Sequence, residues 1–206
     1  MSTLLHIDSS PRGDASVSHA LTEEFEKNWL ASHPGGKVIR RDLTKTGLTA
    51  IDGSWIGAAF TPEESRTAEQ QEILKLSDEL VSELIAADEL VIGVPMHNFS
   101  IPGVFKLWID QIARVGKTFT YASGTPEGLL KGKKATFLIA TGGQYGAGSA
   151  AASFNFVEPY LRTFFGFIGV TDTTFITAGG AAALNYGADR EQFLLPHVEA
   201  VRAQFA

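Results

Sequence analysis

The sequence predicts a single doubly wound α/β domain over residues 1–206, built on a five-stranded parallel sheet in the order 2-1-3-4-5. Three observations lead there. Short apolar runs alternate with helical patterns along the whole chain, in the order β-α-β-α-β-α-β-α-β. The runs Glu89–Val94 and Lys134–Ala140 are apolar in the manner of strands buried on both faces. Helical crossovers between successive strands make the sheet parallel and cover both of its faces.

The elements follow in order. Thr3–Asp8 is a short strand that ends at the polar cluster Asp8-Ser9-Ser10-Pro11-Arg12-Gly13. A helix from about Ser18 to Ser32 carries Leu21, Phe25 and Trp29 four residues apart, and Pro34-Gly35-Gly36 ends it. Lys37–Asp42 is a second, weaker strand. Residues 43–65 form a long connection with a short helix near Trp55–Phe60; connections of that length are often functional. The next helix spans about Thr67–Ala87, with Ile73, Leu76, Leu80, Val81, Leu84 and Ile85 on one face. After the strand Glu89–Val94, a helix starts near Gly103 and points Val104, Leu107, Trp108, Ile112 and Val115 inward. Residues 117–132 read as a β excursion or hairpin. Strand Lys134–Ala140, helix Ser153–Phe167, strand Thr173–Ala178 and helix Asp189–Ala203 complete the chain.

Composition narrows the function. Hydrophobic residues make up 44% and charged residues 19%, which is globular rather than disordered. A net charge of −6 gives no basic field for nucleic acid. The absence of Cys excludes disulfides and thiolate chemistry, and the five His show no metal-ligand spacing. No signal or membrane-spanning pattern is evident, so the expectation is a cytoplasmic protein without membrane or metal.

In doubly wound sheets ligands bind beyond the carboxyl ends of the strands, where the strand order reverses. Three unusual loops follow the first, third and fourth strands and converge there. The first, Ser9–Ser18, precedes a helix whose N-terminal amides and hydroxyls at Ser10, Ser16 and Ser18 suit a phosphate. Helix capping by Ser16 or Ser18 is the plainer alternative. The NTP-binding pattern G-x-x-x-x-G-K-[ST] is absent. The second loop, Pro95–Pro102, offers Met96 and Phe99 as flat apolar surface for a flavin ring and the Asn98 amide for its polar edge; a turn completing the core is the alternative. His97 is the one candidate proton donor, against an ordinary surface His. The third loop, Thr141–Ser149, has paired Gly that lets backbone approach a ligand, or is simply flexible. Its Gly spacing does not fit the dinucleotide-binding fingerprint.

These motifs resemble the FMN-dependent NADH:azoreductase family of flavodoxin-like oxidoreductases. The resemblance rests on Ser-Ser and S-x-S before the first helix, P-M-x-N-F at 95–99 and the Gly pair after the fourth strand. It extends to Leu-Ser-Asp-Glu-Leu at 76–80, Pro-Glu-Gly-Leu at 126–129 and Phe-Phe-Gly-Phe-Ile-Gly-Val-Thr-Asp at 164–172. It implies a flavodoxin-like fold and FMN as cofactor, with Ser10, Ser16, Val17 and Ser18 at the FMN phosphate. Met96, His97, Asn98 and Phe99 would line the isoalloxazine, and Ala140, Thr141, Gly142 and Gly143 would meet its other edge. The sequence departs from the family at His97, commonly Tyr, and at Ala140-Thr141, commonly Ser-Arg; the second change removes a positive charge that could favour a nicotinamide phosphate.

The implied reaction passes hydride from NADH or NADPH by way of FMN to a quinone or an aromatic azo compound in a ping-pong cycle, with no side chain as nucleophile. Alternatives are a quinone reductase with little azo activity, a non-enzymatic FMN electron carrier, and a binding module with an empty crevice. The resemblance also implies a homodimer. Phe119 and Tyr121, with no evident core role, are expected to complete the partner's substrate pocket, to which Tyr145 also belongs; the Phe164–Ile168 run is interface or monomer core.

Overall fold

The computed structural model describes residues 2–206. Five strands form one parallel sheet: β1 (Thr3–Asp8), β2 (Lys37–Asp42), β3 (Glu89–Pro95), β6 (Lys134–Ala140) and β7 (Asp172–Ala178). Their spatial order is β2-β1-β3-β6-β7, the expected doubly wound arrangement. The helices are α1 (Val17–Ser32), α2 (Gly53–Phe60), α3 (Ala68–Ala86), α4 (Gly103–Ile112), α5 (Val157–Phe167) and α6 (Arg190–Arg202). β4 (Phe119–Thr120) and β5 (Glu127–Gly128) pair as a small antiparallel hairpin.

Alternation along the strands divides the core into two layers. Leu90, Ile92 and Val94 of β3 face α3, α4 and α5, where they meet Leu80, Leu84, Trp108 and Phe165. Val91 faces the opposite side, with Leu21, Phe25 and Trp29 of α1 and Val201 of α6. Each layer is contributed by several crossovers, which fixes the carboxyl ends of β1, β3 and β6 side by side.

Three details differ from the sequence pattern. The buried face of α3 runs through Leu74, Ser77, Leu80, Val81 and Leu84, leaving Ile85 exposed. Helix α4 stops at Ile112, so Val115 lies beyond it and is exposed, and Phe105 and Ile109 complete its inner face instead. The expected helix 153–167 begins only at Val157, because the Asn155 Oδ1 accepts from the amides of Val157 and Glu158 at 3.2 and 3.3 Å and starts a new first turn there.

The hairpin brings a fourth correction. Phe119 does have a core role in its own chain: it is buried, and its ring centroid lies 4.6 Å from that of Phe167. The hairpin is anchored by Leu130 N–H donating to Ile168 O at 2.9 Å. Phe165 is fully buried and the half-buried Phe164 and Phe167 pack against the same layer, so the Phe run contributes to the monomer core. The 43–65 connection is also structural for much of its length: Trp55 of α2 donates Nε1–H to Gln111 Oε1 at 2.9 Å, beneath the guanidinium of buried Arg114.

Candidate functional site

A cleft of about 220 Å³ opens at the carboxyl ends of β1, β3 and β6. One end is the β1–α1 loop. Ser10 and Ser16 line it with Arg12 and Val17, and both serines are buried. Ser16 caps α1: its hydroxyl accepts from His19 N–H at 3.2 Å. Ser18 Oγ lies 3.1 Å from Ser16 Oγ, so the two hydroxyls form one unit. Capping and ligand binding are therefore not exclusive here. The His19 amide goes to the cap and the Ala20 amide to Ser16 O, while those of Val17 and Ser18 lack an intrahelical acceptor and carry the positive end of a 16-residue helix. An array of neutral donors at that pole suits a dianionic phosphate without a lysine.

A buried polar chain supports this loop. His6 Nδ1 lies 2.7 Å from Glu26 Oε2 and Nε2 lies 3.1 Å from Asp8 Oδ2. Glu26 is paired in turn with Arg40, and Asp8 Oδ1 accepts from Thr22 Oγ1 at 2.8 Å. Burial opposes the charged form of His6, but the hydrogen bonds and charges of Asp8 and Glu26 outweigh it and raise its pKa above the ordinary value. Burial likewise opposes ionisation of Asp8, and His6, His19 and Thr22 outweigh it and lower its pKa. Gly93 makes room for the chain: a Cβ there would lie 2.9 Å from Asp8 Oδ1 and 3.1 Å from Thr22 Cγ2. Ser9 Oγ donates to Gly93 O at 2.6 Å, tying the loop to β3.

The other end of the cleft is apolar. Pro95, Met96 and His97 form one wall, and Ala140, Thr141 and Gly142 the other. The walls are joined by Met96 N–H donating to Ala140 O at 2.8 Å. Past His97 the chain reverses tightly, with reciprocal His97–Ser100 backbone bonds of 2.9 and 3.0 Å. Asn98 and Phe99 at its tip adopt left-handed backbone, with φ of 49° and 72°. That conformation is tolerable for Asn and costly for Phe. The Phe99 ring is turned outward against Phe154 and Tyr145, at centroid distances of 5.3 and 6.1 Å.

The cleft thus brings together Ser10, Ser16, Val17, Met96, His97, Ala140, Thr141 and Gly142. Ser18 stands directly behind Ser16. Asn98, Phe99, Gly143 and Tyr145 lie beside the lining rather than in it, and Phe119 and Tyr121 sit apart on the hairpin. Sequence reasoning missed Arg12, Pro95, Ala181, Ala182 and Asn185. The last three belong to a 3₁₀ turn, Ala181–Tyr186, bracketed by left-handed Gly180 and Gly187. The pair Gly179-Gly180 directly after the fifth strand was the available signal, equivalent to Gly142-Gly143 after the fourth. Among the described residues no cluster of metal-ligating side chains occurs, and no helix is long and apolar enough to cross a membrane.

Comparison with known proteins agrees with this geometry. The profile of a family described as a flavodoxin-like fold matches residues 2–205. An FMN-dependent NADH:quinone oxidoreductase of Acidobacterium capsulatum is 57% identical over 203 residues, 98% of each chain. A second protein of that name, from Burkholderia lata, is 53% identical over the full length of both. Among solved structures, an azoreductase from Bacillus anthracis superposes with a TM-score of 0.88 at 28% identity, covering 100% of this chain and 99% of its own. An FMN-dependent NADH-azoreductase of Bacillus anthracis in complex with FMN gives 0.86 at 25% identity, covering 99% and 98%. With the strand order, the switch-point cleft and these matches in agreement, the chain belongs to the flavodoxin-like fold family.

Proposed function

We propose that this protein is an FMN-dependent NADH:quinone oxidoreductase that also reduces aromatic azo compounds. The observation that carries the reading is the two-ended cleft at the sheet's switch point: buried hydroxyls on a helix N-terminus at one end, and an apolar slot between Met96 and Gly142 at the other. That donor set fits FMN, whose phosphate and planar ring differ in the same way, and relatives at 57% and 53% identity carry the corresponding names.

Bound FMN supplies the two-electron chemistry. The chain supplies place and polarity. Ser10, Ser16, Ser18 and the Val17 amide hold the phosphate, while Met96, His97 and the 140–143 backbone pin the ring in one plane. Asn98 and Phe99 shape the tip beside it. A slot this narrow, between Met96 and Gly142, would admit nicotinamide and quinone one after the other, the basis for expecting ping-pong kinetics. Ala140-Thr141 offers no cation for a nucleotide 2′-phosphate, in keeping with NADH as donor.

A second copy of the chain completes the ring end. About 220 Å³ is small beside the roughly 300–1,000 Å³ of an ordinary ligand pocket. Next to it Phe99, Phe154 and Phe156 form an exposed aromatic patch, linked by ring contact and by Phe156 N–H donating to Phe99 O at 3.1 Å. Patches of this kind mark interfaces. Tyr121, 55% exposed and edge-on to Phe119, is the hairpin group placed to reach a partner's pocket. We place the dimer in the cytoplasm, acting on small quinones and azo compounds without nucleic acid or membrane.

The test is direct. Purified protein should show flavin absorbance that NADH bleaches in a single turnover, turn over NADH continuously only when a quinone or azo acceptor is present, and give parallel-line kinetics when both substrates are varied. A colourless protein that binds neither FMN nor quinone would reject the assignment.

A further inference from the structure

Arg190, the first residue of α6, reaches across to the β1–α1 loop from behind the cleft. Its guanidinium donates Nη1–H to Ala15 O at 3.0 Å, and Nη2–H to Ser16 O at 3.0 Å and Asp14 O at 3.2 Å. Three consecutive carbonyls of one loop are thus held by one side chain.

The consequence follows from peptide geometry. In a trans peptide the N–H points opposite the preceding carbonyl. Holding Ser16 O on the α6 side turns the Val17 N–H the other way, and Val17 lines the cleft. The same grip fixes the residues leading into Ser16, whose hydroxyl is both helix cap and cleft lining. It also brings a second guanidinium to the loop, besides Arg12 of the lining. The segment just before Arg190 adds Ala181, Ala182 and Asn185 to the cleft lining. Arg190 therefore ties that segment to the phosphate loop, and Asp189, capping α6 through Gln192 N–H at 2.9 Å, steadies the base of the guanidinium arm.

We propose that Arg190 is a positioning residue for the cofactor phosphate: it sets the β1–α1 loop in its binding conformation and ties it to the Ala181–Tyr186 part of the lining without touching the ligand. The proposal rests on the FMN reading above. A merely structural tie would lower stability, or weaken every flavin alike. A phosphate-positioning role changes the discrimination between FMN and riboflavin, which differ only in the phosphate.

The experiment measures FMN and riboflavin dissociation constants by flavin fluorescence on the apoprotein and on Arg190→Met and Arg190→Lys. Arg190→Met is expected to weaken FMN about tenfold, the scale of one lost hydrogen bond to a charged group, and to change riboflavin less than about twofold. Arg190→Lys should fall between, because one ammonium cannot match a planar fork on three carbonyls. If the parent prefers FMN strongly and Arg190→Met keeps that preference, or loses both flavins equally, the positioning role is wrong while the FMN reading stands. If the parent itself does not distinguish FMN from riboflavin, both fall together.

Discussion

The two ends of the cleft are built on different terms. At the β1–α1 end Ser10, Ser16 and Ser18 are buried, the hydroxyls of Ser16 and Ser18 are bonded to each other, and the loop is backed by the Asp8–His6–Glu26–Arg40 chain. At the β3–α4 end the backbone is held left-handed at Asn98 and Phe99, and three Phe side chains stand open beside it. A preorganised end pays for phosphate binding before the ligand arrives; an open end leaves room for nicotinamide and quinone to alternate. The contrast suggests one anchored half of the cofactor and one working half.

The largest expected effect breaks the anchored end from beneath. His6→Leu leaves Asp8 and Glu26 without the group between them, and breaking a buried pair costs about 3–5 kcal/mol. Urea unfolding of the apoprotein should show a loss of that order. The same chain sets a pH dependence. The folded-state pKa of His6 is raised, so its contribution is whole below the ordinary His value and is lost as pH rises through the raised one. The pKa of Asp8 is lowered, so its contribution is whole above the ordinary carboxylate value and is lost as pH falls through the lowered one. Stability of the parent relative to His6→Leu should therefore shrink as pH rises above the ordinary His value, and equal slopes over that whole range would contradict the assignment.

A smaller effect touches the cradle itself. Ser16→Ala with Ser18→Ala removes two hydroxyls at the phosphate, each worth about 1.5–3 kcal/mol toward a charged group. FMN should bind at least tenfold more weakly, with riboflavin nearly unchanged; equal FMN affinity would move the phosphate elsewhere. The smallest effect concerns the open end. In Phe99→Gly, release of left-handed strain of about 1–3 kcal/mol offsets the partial loss of ring packing. Stability should stay within about 1 kcal/mol of the parent, while quinone turnover falls. A drop in stability together with full activity would reverse the contrast drawn here.

The anchored end was the more legible in sequence, and the reason is physical. A hydroxyl-rich loop between an apolar strand and a helix is a local pattern, and of its three serines Ser10 and Ser16 line the cleft while Ser18 bonds to Ser16 behind it. The inner strands β1, β3 and β6 were equally plain, because burial on both faces makes their runs continuous, whereas the edge strand β2 carries Arg40 and Arg41 and read as weaker. What stayed hidden depends on long-range partners. Nothing near Arg190 in sequence announces a contact with residues about 175 positions away. Gly93 read as one more small residue of β3, although Asp8 and Thr22 require it. Phe119 looked spare because Phe167, which covers it, lies far along the chain.

In the proposed function each working site joins the anchored end of one chain to a group from a second. This joining is tested by mixing two disabled proteins. Ser16→Glu puts a carboxylate against the phosphate and should abolish FMN retention. Tyr121→Asp should keep FMN but lose quinone turnover. Unfolded, mixed in equal amounts and refolded together, they should form heterodimers with one intact cradle served by one intact Tyr121, and NADH:quinone activity should reappear in proportion to heterodimer. Recovery of activity is the predicted result. No recovery despite heterodimer formation, or full activity in a monomeric Tyr121→Asp protein, would contradict the account.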